Sequence, residues 1–191
     1  MDKELNELAI SFNVAIQADI KNRLKEVQRK LNTEISERRN YESSPHLAVC
    51  TKFMPQNLVE EYTKTIEDNF SKIPAFTITL TEFAPSPTNN YIFLNIDEES
   101  RKTIFELNRK IKEVTKGIGN ESPKGLPPKY PYDPHISIIK LEEYQIKKAL
   151  QLLNENFSNV QMIVESFELT VEKRDESGFA SFPTHLVLKT A

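Results

Sequence analysis

A repeated pair of five-residue segments constrains this chain more than any other feature. Pro45-His46-Leu47-Ala48-Val49 and Pro134-His135-Ile136-Ser137-Ile138 both read proline, histidine, aliphatic, small, aliphatic. The second histidine comes 89 residues after the first, from position 46 to position 135, which is close to half of the 191-residue chain. This spacing indicates an internal duplication. Each segment has the alternation of a half-buried strand, so each histidine shares a face with the residue two places on, Ala48 or Ser137.

The remaining composition excludes several classes of protein. A formal net charge of −3 excludes a broad basic coat for nucleic acid, although it leaves room for a site that binds one phosphate. Only 4 glycines are present, and neither GxGxxG nor GxxxxGK[ST] occurs, so a glycine-rich phosphate loop is not expected. The single cysteine, Cys50, excludes a disulfide framework and a cysteine-cluster zinc site. We expect no metal and no other cofactor.

The sequence also carries no apolar run long enough for a membrane span, and its start, MDKELNEL, lacks the apolar stretch of a signal peptide. We therefore expect a cytoplasmic protein with no membrane partner and with no long double-stranded nucleic acid as partner. No large apolar stripe is left over, which favours a monomer.

Hydrophobic periodicity predicts strands and helices in alternation. The predicted strands are Ile10–Ile16, His46–Cys50, Phe76–Leu80, Tyr91–Ile96, His135–Ile139, Ile163–Val171 and Thr184–Leu188. The predicted helices are Asp19–Arg39, Pro55–Phe70, one that Asp97 caps and Gly117 ends, and Glu142–Phe157. This order predicts one domain over residues 1–191 of the α+β or α/β class, with helices covering one face of each sheet.

Two imidazoles brought together by two similar halves suit the cleavage of a phosphodiester, which needs a base and an acid on opposite sides of phosphorus. Because the unperturbed pKa of histidine is about 6.5, one ring can be neutral and the other protonated near neutral pH. The Ser137 hydroxyl can donate a hydrogen bond to a non-bridging phosphoryl oxygen. None of these roles requires a metal ion.

Two His-x-Thr/Ser motifs on strands of a duplicated α/β domain resemble the 2H phosphoesterase superfamily, which includes 2′-5′ RNA ligase-like proteins and RNA 2′,3′-cyclic phosphodiesterases. The resemblance covers nearly the whole chain. It implies an α+β fold of two pseudo-symmetric lobes whose antiparallel sheets surround a central cleft, with one histidine projecting into the cleft from each lobe. It also implies that His46 and His135 are the acid/base pair and that Ser137 is the phosphate donor. The first motif departs from the family pattern, because Ala48 stands where the family has Thr or Ser. Losing one such donor typically costs about 10²–10³ in rate.

The resemblance implies a metal-independent phosphodiesterase for 2′,3′-cyclic phosphates or for 2′-5′ linked nucleotide or RNA ends. Three alternatives stay open: a cyclic oligonucleotide phosphodiesterase of the type that phages use against host defence, a nucleotide-binding module that has lost turnover, and a structural α/β protein. Candidate substrate-binding residues are Tyr130, Tyr132 and Lys129 in the proline-rich loop before His135, and Phe12 on the first strand. The third histidine, His185, has no hydroxyl two places on, and we interpret it as structural.

Overall fold

The computed structural model describes residues 7–35, 44–87, 89–123, 132–153, 159–175, 178–181 and 186–190. In this part of the chain, nine strands form one antiparallel sheet, and four α-helices accompany it. The strands are β1 Glu7–Val14, β2 Leu47–Pro55, β3 Phe76–Pro85, β4 Tyr91–Ile96, β5 His135–Lys140, β6 Val160–Val164, β7 Ser166–Asp175, β8 Gly178–Ser181 and β9 Leu186–Lys189. The helices are α1 Ala18–Glu34, α2 Val59–Phe70, α3 Glu98–Val114 and α4 Glu143–Leu153.

The centre of the sheet is formed by β2 and β5, the strands of the two histidine motifs. Six strands run β3-β4-β5-β2-β1-β7, so that the two histidine strands, β2 and β5, are neighbours in the middle. β6 pairs with β3 at one end, whereas β8 and β9 both pair with β7 at the other. The α+β class with an antiparallel sheet, predicted from the sequence, is confirmed.

One predicted strand is wrong. The segment Ile163–Val171 divides between β6 and β7, which pair with different partners, β3 and β1. The predicted alternation joined Ile163 to Phe167 and Leu169, but the buried residues change phase at the break: Met162 and Val164 are buried in β6, and Ile163 is exposed. The break leaves Glu165 outside both strands, and its carbonyl accepts hydrogen bonds from the backbone N–H and the hydroxyl of Thr190.

Helices α1 and α3 have the same length and the same burial pattern. Each has 17 residues, and its third, seventh, eleventh and fourteenth residues are buried. Helix α1 packs against β5, and α3 packs against β2. Each long helix therefore covers the histidine strand of the other half of the chain. None of the helices in the described residues is long and apolar enough to cross a membrane.

The side chain of Phe12 lies in the hydrophobic core. Its ring is 0% exposed, stacks on Phe167 with a centroid distance of 4.9 Å, and packs against Phe70 at 5.4 Å. No face of the ring can reach a ligand, so the prediction that Phe12 binds substrate is wrong. Burying an aromatic side chain of this size is among the larger favourable contributions to folding.

The start of α3 follows the sequence prediction. The Asp97 carboxylate accepts a hydrogen bond from the backbone N–H of Ser100 at 2.8 Å, as an N-cap does. Hydrogen bonds from the Ser100 hydroxyl and from this backbone N–H lower the pKa of Asp97. The helix ends at Val114 rather than at Gly117, which instead takes a φ of 88° in the turn that follows.

Candidate active site

The two histidine motifs meet where β2 pairs with β5. Leu47 is the antiparallel partner of Ile136. Continuing that register by one residue on either side sets His46 opposite Ser137 and Ala48 opposite His135. These four residues, which we call the histidine cluster, lie on one face of the sheet. The two histidines occupy diagonal positions, for which the separation in a sheet is about 7–8 Å.

Exposure alternates along both motifs. Leu47 and Ile136 are 0% exposed and belong to the core, whereas all four members of the histidine cluster are partly exposed. Because successive side chains of a strand point to opposite faces, the core residues anchor each strand while the cluster faces outward.

Both imidazoles are oriented in the same way. The Nδ1 of His46 donates to the carbonyl of Ser44 at 2.9 Å, and the Nδ1 of His135 donates to the carbonyl of Asp133 at 2.6 Å. In each case the acceptor is the backbone of the residue two places earlier. A carbonyl partner keeps the proton on Nδ1, so in the neutral ring Nε2 carries the lone pair. Within the described residues, no group bonds either Nε2.

His135 is the more enclosed of the two imidazoles. The ring of Phe93 stacks on it with a centroid distance of 3.5 Å and an interplanar angle of 17°. Burial lowers the pKa of His135, and the positive charges of His46 and Arg101 act in the same direction, against the opposing effect of Asp133. The Asp133 side chain forms an ion pair with Arg101 of α3. His135 is thus biased toward its neutral form.

Ser137 and Ala48 differ in what surrounds them. Ser137 pairs with Phe93 across β4, and its hydroxyl has no hydrogen-bond partner in the described residues. Ala48 pairs with Asn13 across β1, and the Asn13 amide donates to the Thr170 hydroxyl at 3.0 Å. Ser137 therefore has a hydroxyl available for a ligand, while the Asn13 amide nitrogen beside Ala48 already donates to Thr170.

Tyr132 connects the two motifs. Its hydroxyl donates to the carbonyl of Ala48 at 2.8 Å, and its ring meets Phe105 edge-on at 5.5 Å. Burial raises the pKa of Tyr132, so its hydroxyl stays protonated and remains a donor. The structure thus places Tyr132 beside the histidine cluster as a link between the halves. The other two loop candidates, Lys129 and Tyr130, and also His185, lie outside the described residues.

Comparison with known proteins identifies the family. A family model described as the 2′-5′ RNA ligase superfamily matches residues 14–176. The chain belongs to this superfamily, and with it to the 2H phosphoesterases. Membership supports an activity of the phosphoesterase or ligase type. No curated protein matches the chain significantly.

Several solved structures of other proteins have the same fold. E. coli LigT complexed with 3′-AMP superposes with a TM-score of 0.67 at 12% identity, covering 97% of this chain and 99% of LigT. A protein described as a phosphoesterase gives a TM-score of 0.64 at 11% identity over 96% and 98% of the two chains. The protein TT0787 of Thermus thermophilus gives 0.65 at 14% identity over 95% and 97%. At these identities the likeness establishes the fold alone.

Sequence reasoning missed two residues of this 2H phosphoesterase. Gln28 of α1 and Asn108 of α3 are 2% and 7% exposed, and each donates to a carbonyl of a histidine strand at 2.7 Å. Both lie on the buried face of a helix, between apolar residues one turn away on either side, and a buried amide there signals a specific partner.

Among the described residues, no group of three or more His, Cys, Asp or Glu side chains lies close enough together to hold a metal ion.

Proposed function

We propose that this protein is a metal-independent phosphodiesterase that acts on 2′,3′-cyclic phosphates or on 2′-5′ linked nucleotide or RNA ends. One observation carries the proposal: two imidazoles lie diagonally on one sheet face, each with Nδ1 tied to its own backbone and Nε2 left for a ligand. A phosphoryl group between the two Nε2 atoms would have a proton acceptor on one side and a proton donor on the other.

We assign the general base to His135. Burial, to which the stacked Phe93 ring contributes, lowers its pKa and favours the neutral form that can accept a proton. In the proposed reaction His135 Nε2 takes a proton from water, and the water oxygen bonds to phosphorus. The bond from phosphorus to the ribose oxygen breaks as His46 Nε2–H gives its proton to that oxygen. General acid–base catalysis of this kind contributes about 10²–10⁴ to the rate.

The Ser137 hydroxyl would stabilise the negative charge that develops on a non-bridging oxygen. It lies opposite His46 in the register, on the same face as both imidazoles. The first motif offers no such donor, because its residue at this position is Ala48. A single hydroxyl would therefore carry this role.

A nucleotide or a short RNA end is the substrate class that fits the site. LigT, with the same fold, has been solved with 3′-AMP, phosphate, NADP+ and ATP, which are ligands of that protein. The net charge of −3 of this chain favours a small substrate over a long polyanion.

The test is hydrolysis in the presence of EDTA. Wild type, His46→Ala and His135→Ala would be incubated with 2′,3′-cyclic nucleotides, 2′-5′ oligoadenylate and cyclic oligonucleotides. His185→Ala is the matched control, because the repeat gives that histidine no role. We expect turnover that falls at least about 100-fold in both cluster variants and stays near wild type in the control. Activity that survives either cluster variant, or that EDTA abolishes, would contradict the two-histidine mechanism.

Ala48 favours a second candidate, a nucleotide-binding module with little turnover. Ala48 lies directly opposite His135 in the register, and its methyl group stands where the family has a hydroxyl. Binding of nucleotides without hydrolysis, weakened by His46→Ala or His135→Ala, would support this second candidate over the first. Preference for cyclic oligonucleotides within the panel would instead indicate a phosphodiesterase of the defence-evasion type.

A further inference from the structure

The two histidine strands contain matching β-bulges. Phe12 pairs with Cys50 and Asn13 pairs with Ala48, so Val49 of β2 has no partner on β1. In the same way Ile92 pairs with Ile139 and Phe93 pairs with Ser137, so Ile138 of β5 has no partner on β4. Each extra residue comes three positions after a histidine. A bulged residue is left out of the strand ladder, and its backbone groups need other partners.

A buried amide from a helix supplies that partner in each half. Asn108 Nδ2 donates to the carbonyl of Val49, and Gln28 Nε2 donates to the carbonyl of Ile138, both at 2.7 Å. Asn108 is the eleventh residue of α3, and Gln28 is the eleventh residue of α1. The same contact thus occurs twice. In each half it joins the eleventh residue of a helix to the carbonyl of the residue three positions after a histidine.

The contacts cross between the halves. Helix α1 precedes the first histidine strand in the chain but holds the second, and α3 precedes the second but holds the first. Removing a bulge would slide a strand by one residue against its neighbour, and a slip of one residue turns every side chain to the other face. The carbonyl of the bulged residue is therefore a point at which the direction of the imidazole can be fixed.

We propose that Gln28 and Asn108 are a matched pair of positioning residues for the phosphodiesterase reaction. Each holds the bulge after one histidine. It thereby sets how that imidazole, and the side chain two residues on, project from the face of the sheet that carries the histidine cluster. Asn108 positions His46, and Gln28 positions His135. This inference rests on the proposed function for its effect on rate, but the crossed dependence of the two imidazoles on the two amides stands by itself.

The experiment compares Asn108→Leu and Gln28→Met with a buried-amide control. Gln145→Met is that control, because Gln145 is 7% exposed and donates to the carbonyl of Ile35 at 2.8 Å, away from the histidine strands. Histidine-labelled proteins are followed by NMR of the imidazole rings without substrate, and kcat and KM are measured on the substrate that wild type prefers. Circular dichroism confirms that each variant is folded.

We expect a crossed pattern. Asn108→Leu should move the ring resonances of His46 and leave those of His135, whereas Gln28→Met should do the reverse. Both should lower kcat at least about 10-fold with KM within about threefold, and Gln145→Met should do neither. If a variant fails to fold, Asn108→Gln and Gln28→Asn keep the amide but displace it, and they should move the same rings.

The two proposals fail separately. The positioning role would be overturned if the imidazole resonances did not move in Asn108→Leu and Gln28→Met, or if the Gln145→Met control lost as much kcat as these two variants. Neither result would contradict the proposed phosphodiesterase activity. A crossed NMR pattern in a protein that hydrolyses no substrate of the panel would uphold the positioning role and overturn the proposed function.

Discussion

Replacing Ser137 with alanine should slow hydrolysis strongly without changing stability. The hydroxyl is on the same face as both imidazoles, and the register sets it opposite His46, where cross-strand Cβ atoms are about 4.5–5.5 Å apart. Loss of one transition-state donor typically costs about 10²–10³ in kcat, or about 2.7–4 kcal/mol. Because Ala48 offers no second hydroxyl, nothing in the cluster can compensate, and the full loss is expected.

Stability should respond very little. The Ser137 side chain is partly exposed, and in the described residues its hydroxyl bonds no other group, so its removal orphans no buried polar atom. Substitutions of this kind usually change the free energy of unfolding by no more than about 0.5 kcal/mol. A thermal melt beside the rate measurement therefore separates a catalytic effect from a structural one.

The assay is steady-state hydrolysis of a 2′,3′-cyclic nucleotide, with kcat and KM determined for wild type, Ser137→Ala, Ala48→Ser and the double variant. Ala48→Ser places a hydroxyl in the equivalent position of the first motif, and it should restore part of the rate to Ser137→Ala. A Ser137→Ala protein that keeps more than about a third of the wild-type kcat, with an unchanged melting temperature, would refute the assignment of the phosphate donor.

Three other predictions concern the supports of the site. Phe93→Leu should expose His135 and let its lowered pKa rise toward the ordinary value, so the acid limb of the pH–rate profile should move to higher pH; an unmoved limb would count against His135 as the base. Tyr132→Phe removes the donor to the carbonyl of Ala48 and should cost about 1–3 kcal/mol of stability, measurable by urea unfolding. Asp97→Ala removes the cap of α3 and should cost about 0.5–2 kcal/mol. Because folding lowers the pKa of Asp97, this contribution is present above the unfolded pKa and is lost as pH falls through the folded one, so wild type and variant should converge in stability at low pH.

Prediction from sequence worked where a local pattern fixes the outcome. The strand that begins at His135, the Asp97 cap and the strand Tyr91–Ile96 appear as predicted, and the first motif enters its strand at Leu47, directly after His46. It did not work where an alternation was assigned in the wrong phase. Ile163 alternates with Phe167 and Leu169 in the sequence, but it is exposed in β6, which pairs with β3, whereas β7 pairs with β1.

The site shows the same division between local and tertiary information. Phe12 could be assigned to a ligand or to the core from its strand position, and only the packing of Phe70 and Phe167 around it decides for the core. The bulges were hidden for a related reason. Each motif ends on an apolar residue that a second apolar residue follows, Val49-Cys50 and Ile138-Ile139, but such a pair shows a bulge only once the register of the neighbouring strand is known.

The sequence by itself determined the fold class, the duplication and the two histidines, because strand alternation and a half-chain repeat are written in neighbouring residues. Tertiary structure decided what faces those histidines: the pairing of β2 with β5, the Phe93 ring on His135, and the amides of Gln28 and Asn108 behind the strands. These contacts join residues far apart in the chain. Their geometry depends on how the strands and helices pack against one another, and no local pattern of residues specifies that.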